Sequence, residues 1–247
     1  MTNTLITGAN KGLGYETARR LLAEGHTVYV GARDPERGER AAEELGAAFV
    51  QLDVTDDASV LAAVRTLEAA GGLDVLVNNA GIEPRRPDGG FVDPAAVTAD
   101  DVRTVFETNV FGPVRVLQAF LPLLLRSPAP VVVNVSSGLA LTRALADPSA
   151  PEHFYPDLAY PASKAALNML TVQYAKAFPG LRINAADPGF TATDLNHNTG
   201  TQSVEEGAEV IVRLACEKET TGTFQEGAGV LPALVRRAVQ PGCRSYR

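Results

Sequence analysis

Thr4-Leu5-Ile6-Thr7-Gly8-Ala9-Asn10-Lys11-Gly12-Leu13-Gly14 is a short β-favouring run that breaks into a turn with three glycines. A helical stretch follows at once and runs to about Glu24. Glycine lets a backbone turn tightly and approach a ligand closely. The first N–H groups of a helix have no intrahelical partner and carry partial positive charge, so they suit a pyrophosphate. The spacing Gly-x-x-x-Gly-x-Gly differs from the Gly-x-Gly-x-x-Gly dinucleotide fingerprint. Taken alone it also fits a strand–helix turn that merely needs glycine.

The segments beyond it decide the class. Strand-like runs at residues 27–31, 48–52, 73–77, 130–135 and 181–185 alternate with helical stretches at 35–45 and 56–70. In the latter, Val60, Val64 and Leu67 fall at i, i+4 and i+7. Thr98 reads as the N-cap of one long helix, with acids in its first turn. A helix near 203–216 and a strand near 223–225 close the series. Short Val/Ile/Leu strands between amphipathic helices predict an α/β fold: a doubly wound parallel sheet covered on both faces, in three layers. Nothing divides residues 1–247, so a single domain is expected. Residues 147–157, rich in proline, and 190–203 read as loops on the substrate side, and 233–247 as a C-terminal tail with four arginines and no acid.

The net charge of −7 argues against nucleic-acid binding, which needs a basic surface. Cys216 and Cys243 fit neither a metal-ligand nor a Cys-x-x-Cys spacing, and the three histidines are scattered, so no metal site is expected. Lone thiols suit a reducing compartment. With no leader-like N-terminus and no run near the ~20 apolar residues of a membrane span, a cytoplasmic protein is expected.

The chemistry centres on Tyr160-Pro161-Ala162-Ser163-Lys164. Residues four apart share a helix face, about 5–6 Å apart at Cβ. That spacing puts an ammonium beside a phenol. A free phenol, with a pKa of about 10, is a poor proton shuttle near neutrality, and a neighbouring cation is expected to lower it. Nearer the second strand's end, Ala32 is neutral and Arg33 cationic. With Lys11, Arg33 offers two positive charges for the 2′-phosphate of NADP(H), where an acid would instead favour NAD. Asp53, beside Val54 after the third strand, is read either as an acceptor for an adenine amino group or as a turn acid. Asn79-Ala80-Gly81, after the fourth strand, suits a chain passing close under a cofactor, or an ordinary turn.

Thr7–Gly14, Asn78-Asn79-Ala80-Gly81, Asn109, Ser136-Ser137, Tyr160-x-x-x-Lys164 and Asp187-Pro188-Gly189, in this order over residues 4–226, resemble the motifs of the short-chain dehydrogenase/reductase family in its single-domain branch. The opening Thr-Gly-Ala-Asn-Lys-Gly is similar to that of its NADPH-dependent carbonyl reductases. The resemblance implies a Rossmann-like fold, NADP(H) as cofactor, and hydride transfer between it and a ketone, aldehyde or secondary alcohol. It implies Tyr160 as general acid or base and Lys164 as the residue that lowers its pKa and holds the nicotinamide ribose. Ser137 would donate to the substrate oxygen, with Ser136 a rival, and Asn109 would anchor a water that feeds protons to Lys164. Cofactor contacts are implied at Gly8, Asn10, Lys11, Gly12, Leu13, Gly14, Arg33, Asp53, Val54, Asn79, Ala80, Gly81, Tyr160, Lys164, Pro188, Gly189, Thr191 and Thr193. An NAD-dependent alcohol dehydrogenase and a non-catalytic NADP(H)-binding sensor stay as alternatives. Leu139, Leu141, Phe154, Tyr155, Phe190, Leu195 and His197 are candidates to line a pocket for a small carbonyl or alcohol substrate. The family's pairing through the helices of Asn109 and Tyr160 implies a homodimer or homotetramer. The 22 residues between Ser137 and Tyr160, longer than is usual, would obstruct it.

Overall fold

A computed structural model describes residues 2–86, 89–227 and 229–231; the expected tail at 233–247 and Cys243 lie outside them. Strands β1 (Thr2–Thr7), β2 (His26–Ala32), β3 (Ala48–Gln51), β4 (Val75–Asn78), β5 (Val131–Val135), β6 (Arg182–Ala186), β7 (Phe224–Glu226) and β8 (Gly229–Val230) form one sheet. Their order is β3-β2-β1-β4-β5-β6-β7-β8. The pairs from β3 to β7 are parallel, and β8 returns antiparallel to β7, an edge that the sequence reading did not contain. The chain leaves β1 in one direction along the sheet and returns to add β4 on its other side. That switch point opens a crevice at the carboxyl ends of the strands, the usual ligand site of such sheets.

Alternate side chains of the central strands feed two cores. Leu5, Leu76, Val132 and Ile183 pack with Leu67 of α3 (Asp57–Ala69), Phe120 of α5 (Gly112–Leu124) and Ala175 of α7 (Ala159–Ala177). Ile6, Val30, Val77 and Val133 face the other way, onto Leu21 of α1 (Gly12–Ala23), Ala42 of α2 (Pro35–Leu45) and Ile211 of α8 (Val204–Ala215).

The long helix expected after Thr98 is interrupted. Thr98 and Asp101 form a reciprocal capping box on α4 (Ala99–Phe106), and a π-helical turn over Glu107–Phe111 then leads into α5. Pro113 has no N–H to return to the carbonyl of Asn109, so the regular α-helical ladder cannot continue there. Instead the Gly112 N–H reaches the Glu107 carbonyl five residues back. The expected loop at 147–157 holds a 3-10 turn, Pro151–Phe154, and follows a short helix, α6 (Thr142–Ala146). Leu141, expected in the substrate pocket, packs instead with Ala185 and Phe224 in a small apolar cluster. No helix among the described residues is long and apolar enough to cross a membrane.

Candidate active site

A cleft of about 1520 Å³ runs over the carboxyl ends of the strands. Every residue expected to touch the cofactor borders it except Gly14. Gly14 packs behind the wall: a Cβ there would lie 2.5 Å from Asn79 Nδ2 and 2.8 Å from the Gly8 carbonyl. Its role is close packing of helix on turn. Gly8 has a φ of +65°, and a Cβ on it would meet Ala80 Cα at 3.0 Å. Asn79 locks the turn, donating through Nδ2 to the carbonyls of Thr7 (2.9 Å) and Gly8 (3.1 Å). Its amide therefore holds the loop.

The turn is shaped for an anion. Lys11, at the N-cap of α1, makes no side-chain cap, and the first turn holds no acid. The leading N–H groups are left for a ligand, where the helix dipole favours negative charge. A Cβ at Gly12 (φ +57°) would point toward Thr193 Cγ2, 3.7 Å away across the cleft. Backbone N–H donors at a turn without a Cβ on Gly8 or Gly12 fit a pyrophosphate at the end of the cleft bordered by Thr193.

The two expected cations behave differently. Lys11 Nζ sits 2.8 Å from Asp194 Oδ2, both side chains more than half exposed. Arg33 is exposed, and its guanidinium has no partner among the described residues. Asp53 turns out to be the turn acid as well: its Oδ1 accepts from the Thr55 N–H (2.9 Å) and hydroxyl (2.7 Å). Arg115 braces this corner. Its guanidinium donates to the Val54 carbonyl at 2.7 Å and to Glu107 Oε1 at 2.8 Å.

At the other end stand Tyr160 and Lys164, in the first two turns of α7. Asp157 starts that helix, accepting from the N–H groups of Ala159 (3.1 Å) and Tyr160 (3.2 Å). Pro161 is tolerated in the first turn, where its missing N–H is not needed. Both side chains are buried, at 7% and 4% exposure. Lys164 Nζ lies 5.5 Å from the Tyr160 ring centre and donates to the Val135 carbonyl at 2.8 Å. The Ser137 hydroxyl accepts from the Leu139 N–H at 3.2 Å and interacts with the Tyr160 phenol. Ser136, its rival, is buried and its hydroxyl has no partner among the described residues.

The expected fall in the phenol's pKa is not seen. Burial pushes Tyr160 upward, the charges of Glu83 and Asp187 add to the rise, and the Ser137 hydroxyl opposes it. The cause is dryness: removal from water disfavours the phenolate more than the Ser137 hydroxyl favours it. Burial also brings Lys164 down to about 8. For a lysine lowered from 10.5, the folded form holds fewer protons than the unfolded form between those values, so stability rises with pH there. Tyr160, being raised, contributes the opposite slope only above its ordinary value of 10.0. Urea unfolding at pH 7.5 and 9.5 is therefore expected to show wild type gaining on Lys164→Met by about 1–2 kcal/mol. An unchanged difference would show that the ammonium is not desolvated.

Asn109 does not border the cleft. It is 1% exposed, and its amide is committed: Oδ1 accepts from the Ile82 N–H (2.8 Å), while Nδ2 donates to the Ile82 carbonyl (2.9 Å) and Ser163 Oγ (3.1 Å). Ser163 in turn donates to the Tyr160 carbonyl at 2.7 Å. Asn109 thus ties the loop after β4 to the turn that carries Tyr160. Of the expected pocket residues, all but Leu141 border the cleft. Sequence reasoning missed Glu83 and Arg85, whose side chains are only 5% and 11% exposed beside Tyr160. In sequence they look like solvated loop charges, and no local pattern sets them apart.

The short chain dehydrogenase family profile matches residues 2–204. The chain is 35% identical to (+)-neomenthol dehydrogenase of Arabidopsis thaliana, over 85% of this chain and 90% of that protein. It is 33% identical to (-)-isopiperitenone reductase of Mentha piperita, over 85% and 91%. Among solved structures, the NADPH-bound carbonyl reductase from chicken fatty liver superposes with a TM-score of 0.81 at 29% identity, covering 94% of this chain and 98% of that one.

Proposed function

We propose that this chain, which belongs to the short-chain dehydrogenase/reductase family, is an NADP(H)-dependent carbonyl reductase with Tyr160 as its general acid. One observation carries the reading: Tyr160, Lys164 and Ser137 share the wall of a cleft that ends in a glycine turn shaped for a pyrophosphate. The bound nicotinamide would supply a hydride to the carbonyl carbon. Tyr160 gives its proton to the carbonyl oxygen, and Ser137 donates a hydrogen bond to that oxygen as its negative charge grows. A raised phenol pKa suits this direction, because the acid stays protonated through neutral pH. Lys164, brought down to about 8 by burial, is placed to restore the proton, with Asn109 fixing the adjoining turn.

The relatives named above include a reductase and a dehydrogenase whose names denote ring-bearing terpenoid ketones and alcohols, which supports a small apolar substrate. NADP(H) preference rests chiefly on Arg33, since Lys11 already pairs with Asp194. That pairing is the observation that favours the NAD-dependent alternative. Initial rates of ketone reduction with NADPH and NADH test both. In Arg33→Ala the NADPH KM is expected to rise about tenfold while the NADH KM changes less than twofold. Equal changes would move the assignment to NAD. Turnover of a ketone by wild type also excludes a sensor that binds cofactor without chemistry.

A further inference from the structure

Two segments that the proposed chemistry does not use meet over the substrate end of the cleft. One follows β4 and carries Glu83, Arg85 and Phe91; the other is the proline-rich excursion, which carries Tyr155. All four residues border the cleft. Glu83 Oε2 accepts from Arg85 Nη2 at 3.0 Å and Nε at 3.2 Å. Glu83 Oε1 accepts from the Tyr155 hydroxyl. The Arg85 guanidinium lies 4.1 Å over the Phe91 ring, and Phe91 meets Tyr155 edge to face at 4.9 Å. The four side chains close a ring in which each touches the next.

An ion pair this deeply buried adds little net stability, yet losing one partner strands a charge. Its natural use is to hold one arrangement of two loops that share no backbone ladder. Because both carboxylate oxygens of Glu83 are taken, the wall offers the substrate no free charge at that point. What it offers are the rings of Phe91 and Tyr155, with exposed Phe154 and Phe190 on the rim. A fixed, flat aromatic wall matches a rigid ring better than a flexible chain, which loses more conformational freedom on binding.

We propose that Glu83, Arg85 and Tyr155 form a latch that fixes the far wall of the substrate pocket and selects uncharged ring ketones over open-chain ones. The selectivity rests on the reductase reading; the latch itself does not. Tyr155→Phe removes a single hydroxyl and keeps the ring, so it is the cleaner variant. Glu83→Gln removes the charge, and Arg85→Met replaces it as the second variant if Glu83→Gln does not fold.

The measurements are kcat/KM for cyclohexanone and 2-hexanone, and amide hydrogen exchange at residues 82–86 and 152–155. In each variant the cyclohexanone to 2-hexanone ratio is expected to fall about tenfold, with faster exchange in both segments together. A ratio unchanged within twofold overturns the selectivity. Faster exchange in one segment alone, or in neither, overturns the latch. Should wild type reduce no ketone with either cofactor, the reductase reading fails, and the exchange result still decides whether the two loops are coupled.

Discussion

Tyr160→Phe is expected to lower kcat for ketone reduction about 10³-fold while leaving the dissociation constant of NADPH within twofold. The substitution removes only the hydroxyl, from a residue that is 7% exposed and whose ring stays packed. General acid catalysis contributes roughly 10²–10⁴-fold, and the hydroxyl removed is the one assigned to give the proton. Ser137 keeps its bond from the Leu139 N–H, so its position survives the change. Stopped-flow measurement of a single turnover separates the chemical step from cofactor release. A fall confined to KM, or turnover at the wild-type rate, would move the proton donor elsewhere. Glu83 supplies a second check on the same group. Its charge helps to hold the Tyr160 phenol protonated, so Glu83→Gln is expected to leave the acid in place through neutral pH.

Gly14→Val is expected to damage the other end of the cleft. Even a Cβ would sit 2.5 Å from Asn79 Nδ2 and 2.9 Å from Ala9 Cα, and the second contact is backbone that cannot swing aside. Overpacking of this kind costs about 1–3 kcal/mol, or roughly 3–10 °C in melting temperature for a chain of this size. The larger effect falls on ligand binding. Asn79 fastens the glycine turn through the carbonyls of Thr7 and Gly8, and displacing it reshapes the anion cradle. NADPH affinity is expected to drop at least about 100-fold, read by fluorescence titration. Gly180→Ala is the control, because a Cβ there meets nothing within 4 Å. Equal effects from the two substitutions would remove the packing argument.

The fold was legible because its determinants are local and periodic. Alternation along β1, β4 and β5 separates the two cores, and Leu5 and Ile6 in succession face opposite layers. The spacing of Tyr160 and Lys164 is likewise a property of one helix. Less could be read where the outcome depends on distant packing. The long helix expected from Thr98 breaks at Glu107–Phe111, because Pro113 withholds a donor and Gly112 must pass close to Val54. A Cβ on Gly112 would lie 2.9 Å from the Val54 side chain. The direction of the Tyr160 shift is hidden for a related reason: spacing reveals the adjacent cation but not the burial, nor Glu83 arriving from 77 residues upstream in the chain. Gly14 was expected at the ligand and lies behind it, where it lets the helix pack on the turn that faces the cleft, while Asn109 spends its amide on Ile82 and Ser163.

The central claim is that the wall formed by Tyr160, Lys164 and Ser137 receives a carbonyl group beside a nicotinamide ring. Incubating the protein with NADPH deuterated at C4 on either face, and with cyclohexanone, tests it directly. Mass spectrometry is predicted to find one deuterium on the carbinol carbon of the product from one of the two labelled cofactors, and none in the Tyr160→Phe reaction over the same interval. Product formed without label from both cofactors, or no product from wild type, would contradict the account.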